Sequence, residues 1–334
     1  MAQIAKEAGL SRFTVSKILN GDPSVRKGNR EKVLALFEKH GYVPNSNAVN
    51  LVSGTSRVIG MVVPYITDGF YAELIEIAEK YAAEKGYTLT YQSSYNDAVT
   101  ERNIIRSLLG LKVAALLIVP VVLSPDRRIH QLAAANCPVI YLDRSLDGEH
   151  CTLLNDNRES CRLITNHLFE QASEVAFLDS FYEESNQTAV DRKQGYLDAV
   201  KEHHATPIII SHCDKLQFQD NELYGYYKMS EYLQQNPTPP KGICCVTDSV
   251  ALGAMQALRE AGFIPGKDVL IGGHDNLRFG EFISPALTTV AQPKDEMAIA
   301  AVDMVLQQIA EPDTQLKSRI FHSKLVIRES SNGA

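Results

Sequence analysis

The sequence predicts an α/β chain in three parts: a small all-helical head, a polar connecting segment, and a body of two lobes built on parallel sheets. Three observations carry this. Residues 2–40 show short apolar groups at helical spacing, punctuated by glycine. From Val58 onward, short β-branched runs alternate with amphipathic stretches of helical period, the pattern of parallel strands covered by helices on both faces. Charge is divided in the same way. Residues 1–57 hold nine Lys and Arg against four Asp and Glu, a balance of +5, and the rest carries 24 basic and 36 acidic residues, or −12, within a net charge of −7. A basic head on an acidic body indicates two modules with different partners, a polyanion being the natural partner of the first.

In the head, Ile4, Ala5 and Ala8 share one helical face, and Gly9 stops that helix. Ser11 is placed to cap a second helix with Val15, Ile18 and Leu19 inward, a face that Phe13 does not fit. Asn20-Gly21-Asp22-Pro23 breaks the pattern. A third helix of about a dozen residues is predicted with Val33, Leu34 and Phe37 inward, ending at Gly41 before Pro44. Residues 45–57, N-S-N-A-V-N-L-V-S-G-T-S-R, form a linker, or at most a single marginal helix that needs a partner to persist. In the body, strands are predicted at 58–63, 88–92, 113–119, 139–142, 175–178, 208–210, 243–246 and 269–271, with Gly86, Gly110 and Gly262 where helices end. Roughly 275 residues of this kind exceed one compact sheet unit, so two lobes are expected. Ligands of open α/β sheets sit beyond the carboxyl ends of the strands, here in the cleft between lobes.

At 45% hydrophobic and 22% charged residues, the composition is globular and excludes collagen-like, low-complexity and wholly disordered classes. No secretory signal is read at the start, and the longest apolar run, 113–123, is broken by Pro120 and falls short of the roughly 20 residues that span a bilayer. A cytoplasmic location is expected. Cys137, Cys151, Cys161, Cys213, Cys244 and Cys245 form no C-x-x-C pair and read as small buried apolar residues. The sequence has no G-x-S-x-G, H-E-x-x-H or G-x-x-x-x-G-K motif and no complete G-x-G-x-x-G after a strand, so neither catalysis nor a metal or cofactor is expected.

Residues 5–21, A-K-E-A-G-L-S-R-F-T-V-S-K-I-L-N-G, combine a helix, a tight turn at Gly9-Leu10, and a second helix with polar and basic residues outward. That is a helix-turn-helix, which lays its second helix in the major groove of DNA. Arg12 and Lys17 suit guanine edges or phosphates, Phe13 a thymine methyl, and Thr14 and Ser16 phosphate oxygens. The alternative is a solvated face on a small helical cap.

Read as a whole, this stretch resembles the DNA-binding head of the lactose and galactose repressor (LacI/GalR) family. The family signature V-S-x-x-T-V-S-R-V-L-N-G appears here as L-S-R-F-T-V-S-K-I-L-N-G, followed by V-R-K-G-N-R-E-K-V and G-Y-V-P-N. The resemblance continues through R-x-x-G at 192–195, T-D-S-V-A-L-G-A-M-Q-A-L from Thr247, G-G-H-D-N at 272–276, P-A-L-T-T-V at 285–290 and V-I-R-E-S at 326–330. It implies a helix-turn-helix head, 1–44, a hinge, 45–57, and a periplasmic-binding-protein-like body, 58–334. The first lobe is expected at 58–156 and 287–318, the second at 157–286 and 319–330.

The implied function is that of a homodimeric, ligand-responsive repressor of carbohydrate-utilisation genes that binds a pseudo-palindromic operator. Ser11, Arg12, Phe13, Thr14, Ser16, Lys17 and Asn20 take the DNA-contacting positions of the resemblance. Leu51, with Ala48 before it, takes the position of a hinge leucine that wedges into the minor groove. Val52 stands where relatives commonly have arginine, so hinge contacts to phosphate are expected to be weaker, leaving more to Arg57 and the head. No leucine heptad follows Glu329, so a dimer rather than a tetramer is expected.

For the effector, the matched positions are Phe70 and Tyr71, which would stack on a ring, with Arg192 and Asp275 as polar partners, and Asp143 and Asp248 join them as carboxylates at strand ends. Thr247 replaces an asparagine common in relatives, and Asp220 or Phe218 adds a loop contact. Lobe core for the aromatics, a helix cap for Asp143 and a surface ion pair for Arg192 are the alternatives. A sugar or sugar derivative suits Arg and Asp beside aromatics, and a purine or nucleoside is the competing ligand. Two other classes stay open: a solute-binding protein with the same body, and a nucleotide-dependent α/β enzyme.

Overall fold

In the computed structural model, which describes residues 2–19, 22, 24–42, 56–122, 125–146, 150–179, 187–211 and 220–332, the head comprises α1 (Ala2–Ala8), α2 (Arg12–Leu19) and α3 (Lys27–Lys39). Ser11 Oγ accepts the Thr14 N–H at 3.0 Å and so caps α2. Gly9 (φ +71°) and Gly41 (φ +57°) adopt the left-handed backbone that ends a helix without a Cβ clash. Ile4, Ala5, Ala8, Val15, Ile18, Val33 and Phe37 form the head core, and Tyr42 stacks on Phe37 at 5.2 Å. Leu34, expected inward, is instead 48% exposed, and Leu36 packs on the core. On a helix turning 100° per residue, positions 34 and 36 lie about equally far from the 33/37 axis. Only the side on which α1 and α2 pack separates them.

The first lobe is a six-stranded parallel sheet in the order β11-β5-β4-β3-β1-β2. Its strands are β1 (Val58–Val63), β2 (Thr88–Ser93), β3 (Ala115–Ile118), β4 (Val139–Leu142), β5 (Thr152–Asn155) and β11 (Arg319–Phe321). It is accompanied by α4 (Gly69–Glu84), α5 (Ala98–Gly110), α6 (Arg127–Asn136) and α11 (Lys294–Ala310). Two apolar clusters form around this sheet, one with Ile59, Met61 and Leu117, the other with Val62, Leu116 and Ile118. Burial on both faces is why β1, β3 and β4 read as unbroken apolar runs rather than alternating ones.

The second lobe is a four-stranded parallel sheet, β7 (Ile208–Ile210), β6 (Val175–Leu178), β8 (Gly242–Cys245) and β9 (Leu270–Gly272) in that order. Its helices are α7 (Asn157–Phe169), α8 (Gln187–Glu202), α9 (Asn221–Gln235) and α10 (Asp248–Glu260). A two-stranded antiparallel ribbon of β10 (Thr289–Ala291) and β12 (Lys324–Val326) completes the body. Cys161, Cys244 and Cys245 are buried here, Cys137 and Cys151 are half-buried in the first lobe, and Cys213 lies outside the described residues. Among the described residues, no helix is long and apolar enough to cross a membrane.

Four strands, β5, β10, β11 and β12, were not predicted. Each has only three or four residues and mixes polar with apolar side chains, too short to show a period. This shifts the lobe boundaries. Leu287 and Val290, expected with the first lobe, belong to the core of the second. β11, expected with the second lobe, pairs with β5 of the first. The chain therefore crosses between lobes after β5, after β10 and after β11, wherever the backbone changes its pairing partner.

Two helix crossings require glycine. A Cβ at Gly195 of α8 would lie 2.0 Å from the Arg158 carbonyl oxygen of α7, and one at Gly253 of α10 would lie 1.9 Å from the Glu222 carbonyl oxygen of α9. Asp248, expected among the effector contacts, turns out to be fully buried. Its carboxylate accepts the Leu277 N–H at 2.7 Å and the Thr289 hydroxyl at 2.5 Å, tying α10 to the segment that returns to the first lobe. A carboxylate used up on backbone and threonine in this way is a structural tie, not a ligand group. Burial, aided by the charge of Asp275, pushes the Asp248 carboxyl up to about 7.

Gly253→Ala should cost about 1–3 kcal/mol in urea unfolding, because the obstructing atom is backbone, whereas Gly110→Ala, with open space around it, should leave stability unchanged or slightly raised. Asp248 ionises near 3.8 when unfolded and near 7 when folded, so its contribution is full below the former and is lost as pH rises through the latter. Asp248→Asn should therefore flatten the decline in unfolding free energy between pH 5 and 7 by up to about 1.4 kcal/mol per pH unit. An unchanged slope in the variant would refute the buried, proton-binding role.

Candidate functional site

A cleft of about 400 Å³ opens between the lobes, beyond the carboxyl ends of their strands. The loop after β1 contributes Tyr65 and Asp68, and the loop after β4 contributes Asp143 and Arg144. The second lobe supplies Thr188 and Arg192 from α8, Val246, Thr247 and Ser249 from the end of β8 and the start of α10, and Asp275 after β9.

On the first-lobe wall, Asp68 caps α4 by accepting the Phe70 N–H at 3.0 Å, which sets Phe70 and Tyr71 in the first turn. Their rings meet edge to face at 5.2 Å, and both lie in the lobe core while also lining the cleft. The Tyr71 hydroxyl donates to Asp143 Oδ2 at 2.8 Å. Arg144 donates through Nη2 to the Tyr71 oxygen at 3.3 Å and through Nη1 to Asn96 at 2.8 Å. Burial drives the Tyr71 phenol well above its usual value, which keeps this hydroxyl a donor. Asp143 holds φ at +63°, a left-handed backbone that costs on the order of 1 kcal/mol or more for a non-glycine residue and is typical of sites that aim a side chain.

The second-lobe wall is organised by Arg192, only 4% exposed. Its Nε donates to Asn157 Oδ1 at 2.9 Å, Nη1 to the Val246 carbonyl at 2.8 Å and Nη2 to Asp275 Oδ1 at 3.2 Å. The same Asp275 oxygen faces His274 Nδ1 at 3.0 Å and accepts the Gln292 amide at 2.6 Å, while Oδ2 takes no hydrogen bond from the described residues. Burial works to raise the Asp275 carboxyl, but Arg192, His274 and Gln292 hold it below its usual range. Burial and the nearby Arg192 charge lower His274 to about 4, so at neutral pH its Nδ1–H donates to Asp275 and Nε2 accepts the Ser160 hydroxyl at 2.7 Å. Asp275 (φ +112°) is, like Asp143, a strained aspartate at the cleft.

Of the residues expected to hold an effector, Phe70, Tyr71, Asp143, Arg192 and Asp275 line this one cavity, with Thr247 and Asp220, and Asp248 does not. Phe218 lies outside the described residues. Sequence reasoning missed Tyr65, Asp68, Arg144, Asn221, Glu222 and Ser249. Asp68 was within reach as the N-cap before Gly-Phe-Tyr, and Arg144 as the neighbour of Asp143.

On the head, Arg12 is exposed and Phe13 is 71% exposed, an unusual position for a large apolar ring. Thr14 and Ser16 are half-buried, and Ser11 is engaged in its cap. Lys17, expected outward beside Arg12, folds back instead: its Nζ lies 3.2 Å from the Asp22 carboxylate and 3.2 Å from Ser24 Oγ, and 5.4 Å from the Phe13 ring centroid. The single acid in the turn attracts the nearest flexible cation. Asn20, Ala48 and Leu51 lie outside the described residues.

Residues 1–45 match the bacterial regulatory proteins of the lacI family, and residues 168–331 match the periplasmic binding protein-like domain. The chain is 30% identical to the ribose operon repressor of Halalkalibacterium halodurans over 334 residues, covering 99% of this chain and 96% of the relative. It is 29% identical to the HTH-type transcriptional repressor PurR of Vibrio atlanticus, covering 98% and 97%. The crystal structure of the lac repressor dimer bound to operator and the anti-inducer ONPF has a TM-score of 0.82 at 23% identity, covering 98% of this chain and 97% of that one, and thus shares the fold. The chain therefore belongs to the lacI family of bacterial regulatory proteins.

Proposed function

We propose that this regulator is a cytoplasmic homodimeric repressor whose head and hinge bind a pseudo-palindromic operator and whose interlobe cleft holds a small carbohydrate effector. The observation that carries the effector reading is the joint construction of the cleft: Tyr71, Asp143 and Arg144 come from one lobe, and Arg192, Asp275 and Ser249 from the other. A ligand that bonds both walls favours one lobe arrangement, and only such a difference in affinity can change DNA binding. Lys294, at the start of α11 in the first lobe, donates to the Asp275 carbonyl at 2.9 Å and pairs with Glu73, so movement at Asp275 is felt across the lobe junction. The head supports the DNA reading with exposed Arg12 and Phe13 on α2 and the +5 balance of residues 1–57. Two copies supply the specificity that one short helix lacks. Polar groups line the cleft on both walls, and Phe70, the phenylalanine among the described lining residues, is packed in the lobe core, which suits a polyol. The stretch from Asp275 to Asp295, which resembles purine-responsive as well as sugar-responsive members, keeps a purine as the second reading.

Removing residues 1–57 should abolish selection of a discrete site from fragmented genomic DNA while the body still binds its ligand; a body that still selects one sequence would refute the division of labour. Arg192→Ala should remove most of the stabilisation that a cleft ligand confers, about 2.7 kcal/mol at 100 times its dissociation constant. A full ligand-induced thermal shift in that variant would sink the assignment of Arg192 to the effector.

A further inference from the structure

Resting on the carbohydrate reading of the cleft, the charges on its walls also narrow the class of sugar. Among the described residues, five carboxyl side chains and two guanidiniums line it. Each guanidinium already has its own aspartate: Arg192 bonds Asp275 at 3.2 Å, and Arg144 lies 3.7 Å from Asp143. Asp68 on one wall, and Asp220 and Glu222 on the other, form no ion pair with the described lining residues, although the Arg192 charge reaches Asp68. Two of these occupy the places an anion would otherwise take. Helix N-termini attract anions through unpaired N–H groups and the helix dipole. Here Asp68 fills that seat on α4, and Asp220 fills it on α9 by accepting the Glu222 and Leu223 N–H groups at 3.1 and 3.3 Å. Glu222 is held by the Ser249 hydroxyl. Burial and the charge of Asp275 raise the Asp68 carboxyl to about 7, burial and the hydrogen bond with Asp220 raise Glu222, and Glu222 with the helix N–H groups holds Asp220 below its usual range, so Asp220 stays ionised. Asp275 Oδ2 remains open to a donor.

We propose that the cleft is charge-selective: it accepts a neutral or amino sugar and rejects sugar acids and sugar phosphates, with Asp68, Asp220 and Glu222 as the residues that set the discrimination. Carboxylates accept hydroxyl or ammonium donors, whereas an added anion meets the ionised Asp220 and an excess of carboxyl over guanidinium groups in a partly desolvated space.

The test is calorimetric titration of the full chain with matched series: galactose, galactosamine and galacturonate; glucose, glucosamine and glucose 6-phosphate; ribose and ribose 5-phosphate. In whichever series binds, the acid or phosphate should be weaker than its neutral parent by about tenfold or more, and the amino sugar at least as tight. An acid or phosphate as tight as its parent overturns the proposal while leaving the carbohydrate reading intact. Binding of adenine, hypoxanthine or guanosine with no sugar bound, or no binding at all, overturns the carbohydrate reading and the proposal with it. Asp220→Asn, which keeps the helix cap, and Glu222→Gln should each shrink the neutral-to-anionic ratio severalfold, with native circular dichroism spectra confirming the fold. An unchanged ratio in both variants overturns the assignment to these residues.

Discussion

The second-lobe wall of the cleft depends on the buried pairing of Arg192 with Asp275. A guanidinium has a planar fork of donors, and here three of its nitrogens point at three different elements: Asn157 at the start of α7, the Val246 carbonyl after β8, and Asp275 after β9. One side chain on α8 thereby sets the relative positions of the loops that any ligand must touch. Taking such a pair from water is expensive, and stability alone would be served as well by apolar packing. What the pair supplies is geometry, with His274 and Gln292 holding the same carboxylate oxygen and leaving the other toward the cleft.

The first lobe has a matching arrangement on a smaller scale. Tyr71, Asp143, Arg144 and Asn96 form a chain of bonds that locks a strained aspartate at the end of β4. Two polar networks, one per lobe, thus face each other over the cavity, and the lobe junction links them through Lys294, which touches both Glu73 and the Asp275 backbone. Regulation by a small molecule needs this kind of division, because a ligand can shift an equilibrium only by binding two movable walls unequally.

Much of this was legible in the sequence because local rules suffice for it. Ser11 as a cap, Gly9 and Gly41 as helix stops, and the apolar runs of β1, β4 and β6 follow from hydrogen-bond capping, left-handed backbone and burial on both sheet faces. Phe70, Tyr71, Arg192 and Asp275 were singled out by their likeness to known motifs and Asp143 by its place at a strand end, and their convergence in one cavity follows from parallel strands ending on one side. Asp248 misled because its position beside Thr247 is a strand end like the others. Nothing local reveals that Leu277 and Thr289, far along the chain, take both of its oxygens.

The sequence by itself determined the class of the longer helices and strands, the split of charge between head and body, and the side of the sheets on which a site would form. These depend on side-chain period and on contacts within a few residues. Tertiary structure alone decided that Leu36 rather than Leu34 is buried, that β11 joins the first sheet, and that Lys17 turns back to Asp22. It alone also decided that Asp68, Asp220 and Glu222 share one cleft whose two guanidiniums among the described residues, Arg144 and Arg192, already lie beside other aspartates. Each of these outcomes depends on which distant group arrives at a given point in space, and a linear pattern does not encode that distance.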